Sequence, residues 1–380
     1  TWRDIPVATG NSTSMEYRFG LTLPRDAAFT TEGEAQTDRE IAGFVIRRDA
    51  RLGRNRLEDF ESLWTEGVEL PASALPGARA QAAAIKKSEF RVRAPAGYPS
   101  RVEEIANARV GKRLAPLLAA YQKAIDDNPD EASNYLNRAA FNSGIFDYKA
   151  AIADYDAAIL HAPTASSYQQ RAWLKAMLGN NASALADIEE ALALDPGSAE
   201  ALTQKVALLT ELGRTDDALA LADEQMANAK DKRDWVSLKA DALGKAGRAN
   251  EGAAILAEGL AERPSDPRLL NDLCWLRGTR EIQLNDALKD CTRAIELSEN
   301  AAMVLDSRAM VYFRLGRVDE ARADLDAALK LSPGQPGSLY IRGIIRSRGD
   351  DKVGALADLA LARLQNGEID KSYAGYGIKP

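Results

Sequence analysis

Ala165–Pro196 reads ASSYQQRAWLKAMLGNNASALADIEEALALDP, and Ala302–Pro333 reads AMVLDSRAMVYFRLGRVDEARADLDAALKLSP. Laid on one another, the two stretches agree at fixed positions. Ala172 meets Ala309, Gly179 meets Gly316, Ala184 meets Ala321, Ala191 meets Ala328 and Pro196 meets Pro333. Each stretch carries two amphipathic segments of about three to four turns, with apolar residues at helical spacing. A Gly separates the two segments, where a helix end favours a left-handed residue, and a Pro stops the second segment. One such helix pair cannot bury its own apolar face, so the pattern demands neighbours of the same kind.

The neighbours are present. Aligned on the small residue that opens the second segment, the series runs Ala151, Ala184, Ala218, Gly252, Ala287, Ala321, Ala355, in steps of 33, 34, 34, 35, 34 and 34. Seven residues on stand Ala158, Ala191, Gln225, Gly259, Ala294, Ala328 and Ala362. Small side chains at these places let two helices approach to roughly 8–10 Å between axes. Pro129, Pro163, Pro196, Pro264 and Pro333 close units. Two departures stand out. Gln225 and Lys230 replace Ala and Pro in the third unit, which predicts a looser or bent junction with the fourth. The fifth unit has one extra residue around Glu281–Asn285.

A run of about 34 residues with these small residues, the loop Gly and the closing Pro resembles the tetratricopeptide-repeat family. The resemblance covers residues 132–367 as seven units. A degenerate eighth, in phase at Tyr121, Ala124 and Pro129, extends it back to about residue 98. It implies an α-helical solenoid of seven to eight repeats whose first helices line a concave groove for extended peptides or partner helices. The ninth positions of those helices are Ala140, Trp173, Ala207, Asp241, Trp275, Met310 and Ile344, with Tyr340, Phe313, Arg314 and Arg348 nearby. A peptide-binding groove is therefore expected at Trp173, Trp275, Met310, Phe313, Arg314, Tyr340, Ile344 and Arg348, since aromatic residues and Arg are favoured anchors. Packing between units is the competing reading for each apolar member. The Lys and Asn set of the carboxylate-clamp branch of the family is absent, so a chaperone-tail receptor is not predicted. A charge recurs at the seventh position, as Arg138, Arg171, Lys205, Lys239, Arg308 and Arg342, and reads as a solvated or inter-unit ion-pair row.

Residues 1–93 follow another rule. Met15, Tyr17, Phe19, Leu21 and Leu23 alternate with polar residues or Gly, the period of a half-buried strand. Phe44–Leu52 and Arg56–Trp64 read as strands joined at Gly53-Arg54-Asn55, residues 76–87 as a short helix, and 90–93 as a returning strand. A small β-sheet or sandwich domain is expected here. Residues 94–131 then form a junction and the degenerate first repeat, and 368–380 a C-terminal tail. The stretch Tyr17–Pro24 with Glu32-Gly33, Gly43–Arg48 and the 56–64 strand is similar to the β-rich tail domain of bacterial transglutaminase-like proteins. That resemblance implies a Gram-negative, periplasmic or cell-envelope protein, with the cytoplasm as the alternative, and a Cys-His-Asp domain ahead of Thr1. No catalytic residue of that family has a counterpart here. The chain opens Thr1-Trp2-Arg3 without Met or a signal pattern, which reads as a processed protein or a piece of a longer one.

Composition narrows the function. A net charge of −7 over 380 residues argues against a nucleic-acid partner. No apolar run reaches the roughly 18 residues of a membrane span. One His and two Cys leave no zinc-type ligand set, and no phosphate-binding Gly-rich loop is present. No catalytic residue, cofactor or metal is predicted. The chain reads as a non-catalytic scaffold for a protein or peptide partner, or alternatively as the accessory region of a larger transglutaminase-like enzyme. Cys274 and Cys291 fall at similar heights on facing helices, which allows a disulfide, although two small buried thiols at a crossing point are the preferred reading.

Overall fold

A computed structural model describes residues 7–8, 12–24, 28–65, 67, 69–95, 97–298 and 301–380. The chain divides into two compact units, residues 1–99 and 100–380.

In the first unit, β1 (Val7–Ala8) pairs with β7 (Glu69–Leu70), and β3 (Thr30–Glu32) with β8 (Arg91–Arg93). The main sheet is antiparallel and four-stranded: β2 (Thr13–Thr22), β6 (Arg56–Thr65), β5 (Phe44–Leu52) and β4 (Gln36–Ile41), in that spatial order. Ala42 and Gly43, both left-handed (φ 56° and 77°), turn β4 into β5, the geometry a two-residue hairpin needs. Helix α1 (Leu75–Lys87) lies between β7 and β8 in sequence. Of the two forms expected, sheet or sandwich, the described residues make a sheet. The half-buried reading of its first strand is corrected. β2 is an edge strand, and Met15, Tyr17, Phe19 and Leu21 remain 48%, 57%, 52% and 50% exposed. Across the other face, the guanidinium groups of Arg18 and Arg47 lie over the rings of Phe60 and Trp64, at 4.9 and 4.7 Å.

The second unit is helical throughout. It opens with α2 (Arg101–Val110), capped by Ser100 and Glu103 in a reciprocal box, and α3 (Ala115–Asp127). Seven helix pairs follow: α4 (Ala132–Gly144) with α5 (Tyr148–His161), α6 (Ala165–Met177) with α7 (Asn181–Leu194), and α8 (Ala199–Glu211) with α9 (Thr215–Asn228). Then come α10 (Arg233–Lys245) with α11 (Ala249–Glu262), and α12 (Pro267–Arg280) with α13 (Leu284–Ser298). The last two are α14 (Ala302–Arg314) with α15 (Val318–Leu331), and α16 (Pro336–Arg348) with α17 (Lys352–Gln365). A short α18 (Ile369–Ala374) lies within the stretch expected as a tail. Each Pro that closes a unit stands two residues beyond a helix end, where its ring meets no intrahelical hydrogen bond.

The small residues sit where the pairs cross. Ala151, Ala184, Ala218, Ala287 and Ala321 are fully buried. A Cβ added to Gly343 would stand 2.8 Å from Leu359 Cγ, so the last pair packs too closely for any side chain at that point. The extra residue of the fifth unit is absorbed in its loop, where Glu281 and Gln283 both adopt left-handed conformations that are costly outside Gly. At the third junction Met226 packs against apolar groups on both sides, and Trp235 is buried.

The seventh-position charges do more than form a solvated row. Arg138, Arg171, Arg308 and Arg342 each grip the carboxylate sixteen residues on, Asp154, Asp187, Asp324 and Asp358, through two guanidinium nitrogens. Those Asp side chains are 5–10% exposed, so each clamp ties the two helices of one unit from inside. In the third and fourth units the position sixteen on is Leu221 or Ile255, and the cation is Lys. Lys205 and Lys239 instead reach back to exposed Glu189 and Asp223 of the preceding unit.

These two kinds of ion pair predict different costs. Asp187→Ala, which takes the buried carboxylate from Lys175 and leaves Arg171 only its exposed partner Asp156, should destabilise the helical unit by about 2–3 kcal/mol. Asp223→Ala should change stability by no more than about 1 kcal/mol. Urea unfolding followed by circular dichroism measures both, and equal costs would show that the clamp is merely a surface pair.

Candidate functional site

The first helices of the seven pairs line one concave face, and the fate of their ninth positions differs along it. Ala140, Trp173 and Ala207 are exposed, and Asp241 and Trp275 are half-buried. Met310 and Ile344 are 1% and 0% exposed. The change has a direct cause. After α17 the chain turns at Asn366–Glu368 and comes back over the face. Ile369, Tyr373 and Ile378 join Met310, Tyr340 and Ile344 in one apolar cluster, with Trp275, Phe313 and Tyr376 at its margin.

The returning segment is held by specific contacts. The Tyr373 ring lies 4.5 Å from that of Tyr340, and the Tyr340 hydroxyl donates to Asp370 at 2.9 Å. Tyr376 meets Trp275 edge-on at 6.0 Å, under the guanidinium of Arg280 at 5.1 Å. Arg314 donates to the main-chain carbonyl of Tyr376 and pairs with Glu281. Burial pushes the pKa of Arg314 down, against the pull of Glu281. Arg348 lies over Phe313 at 5.0 Å. Of the eight expected groove residues, then, Trp275, Met310, Arg314, Tyr340 and Ile344 are gathered around the chain's own C-terminal segment. Trp173 stands apart.

Trp173 borders an open cleft of about 650 Å³ with Gln204, Glu211, Lys245, Arg280 and Lys371. A second cleft of about 520 Å³ continues past Arg280 to Trp275, Asp241, Asp272 and Arg268. Most charges here are matched. Lys245 bridges Glu211 at 2.6 Å and Asp241 at 2.9 Å. Burial works against its charge, but the two carboxylates outweigh that and raise its pKa. Burial raises the pKa of Asp272, which accepts from Ser237. Arg280, between the clefts, has no ion-pair or hydrogen-bond partner among the described residues, and its Nε is buried. Sequence reasoning passed over Arg280 because it lies at the end of α12, outside the counted groove positions. Among the described residues no group of His, Cys, Asp and Glu could hold a metal ion, and no helix is long and apolar enough to cross a membrane.

Cys274 on α12 and Cys291 on α13 are both fully buried, with Cα atoms 5.5 Å apart, and their sulfurs meet. His161 ends α5, stacked on Tyr135 at 5.5 Å.

The ends of the helical unit also meet. The Tyr148 hydroxyl donates to the Gln365 carbonyl at 2.6 Å, and α2 packs on α17. Glu368 lies against the bare backbone of Gly179, and Val102 against that of Gly334.

Stacked helix pairs around a concave face define a helical-repeat solenoid of the kind that binds other proteins. Residues 175–242 and 302–335 match family models described as tetratricopeptide repeat, and the helical unit belongs to that family. Among solved structures, yeast Tom70 superposes with a TM-score of 0.51 at 15% identity, over 74% of this chain. The alignment spans 64% of Tom70's own length. A tetratricopeptide repeat protein from Parabacteroides merdae gives 0.44 at 17% identity, over 64% of this chain and 98% of that one. YrrB, described as having an unusual peptide-binding site, gives 0.28 at 19% identity, over 59% and 97%. At these identities the likeness is one of fold. No curated protein matches the chain.

The buried carboxyl beneath the returning segment predicts a pH dependence. Burial lifts the pKa of Asp306 from 3.8 to about 6, with Ser338 Oγ donating to it at 2.5 Å. The folded state thus holds a proton that the unfolded chain has already released, and this favours folding at low pH. The contribution is lost as pH rises from about 4 to about 6 and is absent above. Asp306→Asn should remove that slope and stabilise the unit at pH 7, on the order of 2 kcal/mol. Denaturant titrations at pH 5 and pH 7 measure the difference between the two proteins, and parallel pH profiles would refute the assignment.

Proposed function

We propose that the helical unit is a non-catalytic scaffold that binds an extended segment of a partner protein along its concave face, entering at the open clefts between Trp173 and Trp275. The observation that carries this reading is Arg280. Once Lys245 has matched Glu211 and Asp241, the Arg280 guanidinium is the cation left over, flanked by two Trp residues. A partner segment with a carboxylate, from a side chain or a chain end, would pair with it, while apolar side chains cover the rings. The acidic residues around it would repel a polyanion, which favours a peptide over a nucleic acid.

We further propose that Cys274 and Cys291 form a disulfide and that the protein works in an oxidising compartment such as the periplasm. A separation of 5.5 Å supports the bond, since bridged Cα atoms lie about 4.4–6.8 Å apart.

Two measurements test these readings. Peptides selected from a random display library against the intact chain should bind Trp173→Ala and Arg280→Ala at least tenfold more weakly. Selected peptides indifferent to both changes would remove the clefts as the site. Alkylation of the denatured, unreduced protein should add no mass at either Cys, and two alkyl groups after reduction; full labelling without reductant eliminates the bond.

A further inference from the structure

We infer that residues 369–378 are a built-in ligand of the concave face, and that the partner it takes is a segment of the same chemistry. That segment has two aromatic residues three apart, an aliphatic residue two further on, and a free main-chain carbonyl at the second aromatic. This rests on the proposed binding role of the face and names the class of partner.

The contacts read as recognition. The Tyr373 ring packs at a tilt of 34° against that of Tyr340, Tyr376 is set edge-on against Trp275, and Ile378 is 1% exposed. The only side chain bonded to the main chain of residues 373–378, among the described residues, is Arg314, at the Tyr376 carbonyl. A main-chain carbonyl is offered by any peptide, so that contact fixes register, and the two ring sites supply selectivity.

The segment is also built to leave. A helix of six residues has little stability of its own. The N–H groups of Gly375, Tyr376, Gly377 and Ile378 donate to carbonyls within the segment, so lifting it away costs these amides no partner and breaks, at the main chain of residues 373–378, only the bond from Arg314. Its tether is the short turn Asn366–Glu368, and Gly377 is left-handed (φ 74°). The tether gives the segment an effective concentration on the order of millimolar, so it masks its site against weak or scarce competitors. The face therefore has an open half, at Trp173 and Arg280, and a self-occupied half, from Trp275 to Ile344. A partner that fills the first can extend into the second only by displacing residues 369–378.

Two experiments test this. In the intact chain, the amides of Gly375–Ile378 should exchange with deuterium at least a hundredfold faster than the central amides of α14 and α16. Equal protection would make the segment an integral part of the core and overturn the inference. In a chain ending at Gly367, a synthetic peptide of residues 368–380 should bind saturably. It should bind at least tenfold more weakly to the intact chain, to Trp275→Ala in the shortened chain, and when it carries Tyr376→Ala. A folded shortened chain that does not bind the peptide overturns the inference. If the shortened chain does not fold, the exchange result decides. Because the peptide is the chain's own, its behaviour is independent of the library selection. Retained peptide binding with library peptides indifferent to Trp173 and Arg280 would sink only the open-cleft reading.

Discussion

The close approach of two helices at small residues is the constraint on which the helical unit depends. At Ala151, Ala184, Ala218, Ala287 and Ala321 the helices cross with no side chain between them beyond a methyl group. At Gly343 even a methyl group would not fit. That spacing sets how each pair leans on the next, and small rotations from pair to pair bring the last pair round to the first. The concave face, its clefts and the returning C-terminal segment are consequences of that geometry.

The Arg–Asp clamp lies on the same framework and shows how the repeat varies. Where position sixteen on is Asp, the cation is Arg, whose planar fork matches a carboxylate in two places. Where that position is Leu221 or Ile255, the cation is Lys and turns to the preceding unit. Arg clamps its own unit and, at Arg171 and Arg342, also reaches Asp156 and Asp326 of the preceding unit, whereas Lys makes only the contact to the neighbour. The third unit, which departs from the small-residue pattern at Gln225 and Lys230, is one of the two with Lys that lack the internal clamp.

The helices were legible because each repeats a signal: small residue, loop Gly, closing Pro. Single-copy features were not. β4 (Gln36–Ile41) is largely polar, so no alternation marks it, and it forms because β5 offers it a register. β2 has perfect alternation, yet its apolar residues stay half exposed, since alternation reports a face and not what covers it. The groove residues show the same limit. Counting positions placed Trp275, Met310 and Ile344 on the concave side. It could not reveal that Tyr373, Tyr376 and Ile378, which follow the last repeat, return to lie against them. Arg280 was missed for the related reason that its lack of a counter-ion is a property of its surroundings.

The hydrogen bond from Tyr148 to Gln365 joins residues 217 apart in sequence. In an open solenoid each unit touches only its neighbours, folding can begin anywhere, and either end can fray alone. Here the end units stabilise one another, so loss of either exposes surface on both. Closure carries a loop-entropy cost that contacts between successive units do not. The helical unit thus combines local contacts between successive pairs with one long-range contact that couples its two ends.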